Sequence, residues 1–225
     1  MITVKNLRKT YNFQGERKLI FNDLNFTIKD GESVAFLGRN GTGKSTLIRI
    51  LAGCETYDSG IIKTNQRISW PIALSGGFQG SLTGRENVVF ICKVFHGYRE
   101  DIIRSKINFV KKFADIGPYF DRPYNFYSSG MRSRLAFGLS MAFNFDIYLL
   151  DEITAVGDIE FKKKCKIAIE EKIKNNSTFI SVSNSMIALD YVNKVFIIHN
   201  GKIKKFDDPK EGYNEYMNMS KVKIK

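Results

Sequence analysis

Gly38-Arg39-Asn40-Gly41-Thr42-Gly43-Lys44-Ser45-Thr46 decides the reading of this 225-residue chain. The stretch fits the pattern glycine, four residues, then Gly-Lys-Ser/Thr, with Gly38, Gly43, Lys44 and Ser45 in the fixed places. Glycines let the backbone curl so that successive N–H groups converge as an anion nest. The helix that follows adds its positive N-terminal end. In such a loop Lys44 reaches the β- and γ-phosphates and the Ser45 hydroxyl ligates Mg²⁺. By chance the pattern arises in about one chain of this length in a hundred, so a plain glycine-rich turn is the weaker reading. The flanks agree with a phosphate loop. Ser33-Val34-Ala35-Phe36-Leu37 is a short apolar strand leading in, and Leu47-Ile48-Arg49-Ile50-Leu51-Ala52 is a helix leading out. Nucleotide binding is the expectation.

Composition sets the bounds. With 43% hydrophobic and 26% charged residues the chain has the make-up of an ordered globular protein. No apolar run approaches the length that spans a bilayer, and Met1-Ile2-Thr3-Val4-Lys5-Asn6 lacks the basic-then-apolar layout of a secretory signal. The chain is therefore expected to stay in the cytosol. Cys54, Cys92 and Cys165 are too scattered for a disulfide framework or zinc site, and each reads as a small buried hydrophobe. His96 and His199 are isolated and carry no ligand role. The formal charge of +12, with lysines at 162–164, 202, 204, 205, 221, 223 and 225, points to nucleic acid or an anionic membrane surface. A solvated basic face is an equal alternative. A cytoplasmic leaflet contributes about 1 kcal/mol per nearby basic residue, which biases location without defining it.

Periodicity gives the organisation. Residues 2–7 and 19–28 alternate in part and read as strands, with Asp30-Gly31 as a turn. Residues 61–64 and 67–70 read as two short strands around an Asn65-Gln66 turn. From about residue 83 the period becomes helical. Thr83-Gly84-Arg85-Glu86 is a capping box. Val88, Val89, Cys92 and Phe95 mark one helical face; Ile102, Ile103, Ile107, Val110 and Phe113 mark the next. A third helix starts near Ser129-Gly130 and runs through Phe143. Residues 147–150 form a buried strand, 159–174 a helix with Cys165, Ala168, Ile169 and Ile173 inward, and 178–182 another strand. Residues 195–206 read as a hairpin turned at Asn200-Gly201. Strands and helices at both ends with an all-helical insert predict a parallel-sheet α/β core carrying a helical subdomain. The division is one domain over residues 1–225, with a core at about 1–75 and 144–225 and an insert at about 76–143.

Two more motifs carry chemistry. Leu149-Leu150-Asp151-Glu152 closes an apolar strand. Asp151 is placed to hold Mg²⁺, and Glu152, one residue on, to face the γ-phosphate and orient the attacking water. Tyr127-Ser128-Ser129-Gly130-Met131-Arg132-Ser133-Arg134-Leu135 opens a helix with small residues, leaving N–H groups and the Ser128 hydroxyl for a phosphate.

With these three motifs together the chain resembles the nucleotide-binding subunit of an ABC transporter over essentially its whole length. The resemblance implies a P-loop NTPase (RecA-like) α/β core with an N-terminal antiparallel β-subdomain and an inserted α-helical subdomain. Residues 38–45 look like the family's Walker A loop and residues 147–152 like its Walker B strand. Ser128-Ser129-Gly130-Met131 looks like the Ser-Gly-Gly-Gln signature, with Ser129 for the first glycine and Met131 for the glutamine. Tyr11 sits where the family places an aromatic that stacks on adenine; a strand-end tyrosine packing on the core competes with that reading. Asp158, in Thr154-Ala155-Val156-Gly157-Asp158, resembles the aspartate loop through which two subunits communicate.

The variants narrow the resemblance. Ser69-Trp70-Pro71, the run from Gly76-Gly77-Phe78-Gln79 to Glu86-Asn87, and residues 127–131 and 151–158 look like the capsular-polysaccharide export ATPase. That subfamily works with an integral-membrane permease at the cytoplasmic face of the inner membrane. O-antigen and teichoic-acid export ATPases often carry an extra C-terminal domain. The roughly twenty residues after the hairpin are too few for one, which favours the capsule type. Two positions depart from the family. Gln79 lies closer to Glu86-Asn87 than the Q-loop glutamine normally does. Asn184 stands where the family has its switch histidine; its amide donates a hydrogen bond but never carries charge. The resemblance implies a homodimer in which Lys44, Ser45, Asp151 and Glu152 of one subunit enclose Mg-ATP and the other subunit's Ser128, Ser129 and Gly130 cap it. A soluble ABC-type ATPase acting on nucleic acid or ribosomes and a small-molecule kinase are the rivals. The first lacks the coiled coils or the second cassette that it needs, and the second does not account for the signature-like run, so no nucleic-acid partner is expected.

Overall fold

The computed structural model describes residues 1–13, 15–72, 77–151, 158–183 and 186–221. In chain order the first elements are β1 (Ile2–Phe13), β2 (Glu16–Ile28), β3 (Val34–Leu37), α1 (Lys44–Leu51), β4 (Ser59–Thr64) and β5 (Ile68–Ile72). Three helices follow, α2 (Gly84–His96), α3 (Glu100–Ala114) and α4 (Ser129–Ala142). The chain continues with β6 (Ile147–Asp151), α5 (Ile159–Lys174), β7 (Thr178–Val182), β8 (Lys194–His199), β9 (Lys202–Phe206) and α6 (Pro209–Lys221). Two compact units divide the chain. One comprises Met1–Pro71, Phe145–Thr154 and Ile169–Lys225; the other comprises Ile72–Asn144 and Ala155–Ala168.

The first unit holds two sheets, an antiparallel one in the order β2-β1-β4 and a six-stranded one in the order β5-β6-β7-β3-β8-β9. β6, β7, β3 and β8 run parallel, and β9 closes the edge antiparallel to β8. Their sequences explain the difference. β3 and β7 are buried at every position, as parallel strands covered on both faces must be. The end of β2 alternates, with Leu24, Phe26 and Ile28 buried and Asn25 and Thr27 exposed. Phe26, Phe36 and Phe196 meet edge-on, with centroids 5.3 to 6.1 Å apart, between the sheets. Such pairs add about 0.5–1.5 kcal/mol each beyond burial.

The two strands read around Asn65-Gln66 both form, yet they do not pair as a hairpin. β4 joins β1 (Ile2 opposite Thr64), whereas β5 lies beside β6. The divergence is pinned at Arg67. Its N–H and guanidinium both donate to Asp146, and the Asp146 and Ile147 N–H groups donate to the Arg67 carbonyl. The Ser69 hydroxyl then accepts the Leu149 N–H at 2.9 Å. The hairpin read over residues 195–206 does form, as β8 and β9, with Asn200 and Gly201 at positive φ.

The second unit is helical. The capping box is present: Thr83 Oγ1 accepts the Glu86 N–H, and Glu86 accepts the Thr83 N–H. Val88 and Cys92 are buried, but Phe95 is 49% exposed. Phe95 nevertheless meets the Phe143 ring edge-on at 5.3 Å, and the half-buried His96 stacks on the same ring at 5.4 Å. Phe113 of α3 stacks on Phe137 of α4 and meets Phe161 edge-on. Cys92 and Cys165 are buried as expected, with burial lifting their thiols to about 11 and about 12; Cys54 is exposed, beyond the last turn of α1.

Candidate nucleotide site

The phosphate loop joins the carboxyl end of β3 to α1, where open parallel sheets bind their ligands. Its glycines are required sterically. A Cβ on Gly38 would lie 2.7 Å from Thr42 Oγ1 and 2.9 Å from the Ile198 carbonyl. Gly43 has φ +97°, and a Cβ there would lie 2.4 Å from Ile20 and 2.8 Å from the Phe21 ring. The Arg39 carbonyl accepts from both the N–H and the hydroxyl of Thr42, closing the loop on itself. Lys44 is 7% exposed and folds back over the loop, donating to the Gly38 carbonyl at 2.6 Å and the Arg39 carbonyl at 3.3 Å. No acidic residue of α1 itself occupies its first turn, so nothing within the helix offsets its positive end.

Sheet register brings the second motif to this loop. Asp151 is paired with Val182, and Val182 with Phe36, so Asp151 is level with the strand that enters the loop. The Ser45 hydroxyl donates to the Asp151 carboxylate at 3.3 Å. Two hard oxygen donors, neither fully buried, form a pair suited to Mg²⁺, which prefers few protein ligands plus phosphate and water. A surface cavity lined by Tyr11, Lys18, Ile20, Asn40, Gly41 and residues 43–46 runs along the loop. Tyr11 thus shares one cavity with the phosphate-loop residues. Glu152 and Asn184 lie outside the described residues; Ser183, just before Asn184, donates its N–H to the Phe36 carbonyl at 3.3 Å.

Gln79 and the signature-like residues belong to the second unit. The Gln79 backbone is clasped by Asn87, which is 1% exposed. Asn87 accepts the Gln79 N–H at 2.8 Å and donates to the carbonyls of Gln79, Leu82 and Thr83. Ser128 is the N-cap of α4, its oxygen accepting the Met131 N–H at 3.2 Å. Its proton is still available to a phosphate oxygen. Ser128 and Ser129 are exposed and Gly130 half-buried. A second cavity, within this unit, includes Ser128, Gly130, Met131, Arg134 and Asp158. Arg134 donates to Asp158 at 2.6 Å and lies over the Phe161 ring; Asp158 also accepts the Phe161 N–H. The backbone bond and the guanidinium hold the Asp158 carboxyl below its usual range.

Residues 21–155 match the model of the ABC transporter family. The chain belongs to the ABC transporter family. It is 50% identical to a polysialic acid transport ATP-binding protein KpsT of Escherichia coli, over 96% of each chain. It is 43% identical to the capsule polysaccharide export ATP-binding protein CtrD of Neisseria meningitidis serogroup B, over 96% of this chain and 98% of the relative. Among solved structures it resembles the dimeric ATP-binding cassette MJ0796 in a post-hydrolysis state with ADP and Pi. The TM-score is 0.79 over 92% of this chain and 98% of that one, at 21% identity, which speaks to the fold.

The ABC motifs do not exhaust the site. Lys9, Arg49 and Glu55 surround Tyr11, and no motif in the sequence marks them. Burial raises the Glu55 pKa, but hydrogen bonds from Tyr11, Arg49 and Lys9 outweigh it and hold the carboxyl below its ordinary range. Asn87 and Arg134 stand inside the motifs without a role that the sequence alone assigns. A buried asparagine directly after a capping box is the one signal that could have marked Asn87.

Proposed function

We propose that this chain is the ATP-binding and hydrolysing subunit of an ABC exporter that drives capsular polysaccharide across the inner membrane. It works as a homodimer, peripheral on the cytoplasmic face, attached to an integral-membrane permease, with no nucleic-acid partner. The names of its similar relatives support the substrate class. O-antigen and teichoic-acid exporters, found among less similar relatives, are the alternative. The single observation that carries the ATPase reading is the Ser45–Asp151 contact at 3.3 Å, beside the folded-back Lys44.

The residues divide the work as follows. Residues 38–46 wrap the phosphates with backbone N–H groups, and the Lys44 ammonium exchanges loop carbonyls for the β- and γ-phosphate oxygens. Ser45 and Asp151, with Gln79 as a third oxygen, would hold Mg²⁺, which when bound neutralises charge on the phosphates. Tyr11 stacks on adenine at the other end of the cavity. Glu152 takes a proton from the attacking water, and the Asn184 amide donates to the γ-phosphate. Ser128, Ser129 and Gly130 cap the γ-phosphate held by the partner subunit. Neither half-site is complete alone, so ATP binds the closed dimer better than the open one and hydrolysis releases it. The division into one ATPase domain with a helical insert at about residues 76–143 belongs to the same proposal.

Affinity purification of the tagged chain from detergent-solubilised native membranes, with partners identified by mass spectrometry, tests it. A stoichiometric polytopic membrane protein is expected. Recovery of soluble proteins or nucleic acid alone would remove the transport claim.

A further inference from the structure

Behind the cavity sits a polar cluster centred on Glu55. The Glu55 carboxylate, 16% exposed, accepts the Tyr11 hydroxyl, the Arg49 guanidinium at 2.8 Å and the Lys9 ammonium at 3.0 Å. Lys9, 9% exposed at its side chain, also donates to the Thr56 carbonyl at 2.9 Å and lies 4.6 Å from the centre of the Tyr11 ring. The Tyr11 hydroxyl reaches Thr46 Oγ1 at 3.2 Å, and Thr46 follows Ser45 on α1. The Tyr11 ring packs on the core, and its hydroxyl is clamped by a carboxylate neutralised from two sides. Here the ring is fixed at its tip, and the fixing point is the first helix after the phosphate loop.

We propose that Glu55 is a positioning residue for base recognition: it holds the Tyr11 ring in the orientation that stacks on adenine and ties that ring to the helix bearing Lys44 and Ser45. This rests on the reading of Tyr11 as the adenine platform. Glu55 contacts Tyr11, Arg49 and Lys9 and none of residues 38–46 directly, so its main contribution reaches the nucleotide through the base. Lys9 and Arg49 serve as its counter-charges. Burial works against the charged carboxylate, and the hydroxyl and the two cations offset that cost and fix it in one geometry.

The test compares ATP with inorganic tripolyphosphate, which has the phosphates and no base, by calorimetric titration of the full chain. Glu55→Ala and Tyr11→Phe are each expected to weaken ATP by about tenfold, the scale of one charge-assisted hydrogen bond. Tripolyphosphate affinity should stay within about twofold. The double variant should bind ATP no worse than either single one, because both cut the same tether. Glu55→Gln, which keeps an acceptor for the hydroxyl, should recover part of the loss. Removing Glu55 leaves Lys9 buried without its partner; should Glu55→Ala fail to fold, Tyr11→Phe and Glu55→Gln carry the comparison. Equal loss of ATP and tripolyphosphate, or additive single effects, would overturn the positioning role. Tyr11→Ala separates the two layers. If it weakens ATP selectively while Glu55 variants do not, only the positioning role falls. If it leaves the ATP-to-tripolyphosphate ratio unchanged, the adenine platform itself falls, and the positioning role with it.

Discussion

The Ser45 hydroxyl and the Asp151 carboxylate meet at 3.3 Å although 106 positions separate them in the chain. The parallel register of β6, β7 and β3 makes the contact, since Asp151, Val182 and Phe36 line up across the three strands. Asp151→Asn keeps the shape and removes the charge. Nucleotide affinity should then lose most of its dependence on Mg²⁺, and turnover should fall by at least about a hundredfold. Titrating ATP with and without Mg²⁺ against parent and variant reads this directly. A variant that still gains affinity with Mg²⁺ as the parent does would show that Asp151 is not a ligand.

Gly43 tolerates no side chain. With φ at +97° and only 2.4 Å between an added Cβ and Ile20, Gly43→Ala must move the loop or the β2 residues packed on it. The expected result is loss of ATP binding, with a stability cost above about 1 kcal/mol. Equilibrium binding and urea denaturation check both halves. Parental ATP affinity in the alanine variant would contradict the loop geometry.

In the proposed site Asn184 takes the position of a switch histidine, and a neutral, shorter amide stabilises developing γ-phosphate charge less well than an imidazolium. Asn184→His is therefore expected to raise turnover by about 3- to 10-fold, with nucleotide binding intact. The measurement is steady-state ATP hydrolysis beside the parent. Absence of any gain would mean that the amide is already sufficient.

The corner that sends β5 away from β4 carries a pH signature. Hydrogen bonds from the Arg67 side chain, then its backbone, hold Asp146 below the usual carboxylate range. A depressed folded-state pKa stabilises above the unfolded value near about 3.9 and is lost as pH falls through the folded value. Because Arg67 is largely exposed, Asp146→Asn should cost no more than about 1 kcal/mol at pH 7. Its urea midpoint should start to approach the parent's as pH falls past about 3.9 and meet it only below the depressed folded value. A deficit equal at pH 7 and pH 3 would assign the effect to the backbone bonds alone.

These cases show which parts of the molecule can be read along the chain. The phosphate loop is legible because its requirements are local: two glycines with backbone constraints, a lysine and a hydroxyl at fixed offsets. The capping box at Thr83 and Glu86 and the Asn200-Gly201 hairpin are legible for the same reason. What stays hidden is set by partners far away in sequence. Residues 61–64 and 67–70 look like a hairpin because the turn between them is sound, and Asp146, 79 positions beyond Arg67, sends them to different sheets. The same holds for Glu55, whose partners Lys9 and Tyr11 lie on β1, and for His96, isolated in the sequence yet stacked on Phe143. Periodicity reports which face is buried, not which polar groups meet there.

The most direct measurement is made in the cell that encodes the chain. Its gene is deleted, polysaccharide is quantified at the surface and in the cytoplasm, and the strain is complemented with the parent or with Glu152→Gln, which should bind ATP but lose about 10²–10⁴-fold in turnover. The expected result is polymer trapped inside after deletion, surface polymer restored by the parent, and no restoration by Glu152→Gln. Unchanged surface polysaccharide after deletion, or full rescue by Glu152→Gln, would contradict ATP-driven export by this chain.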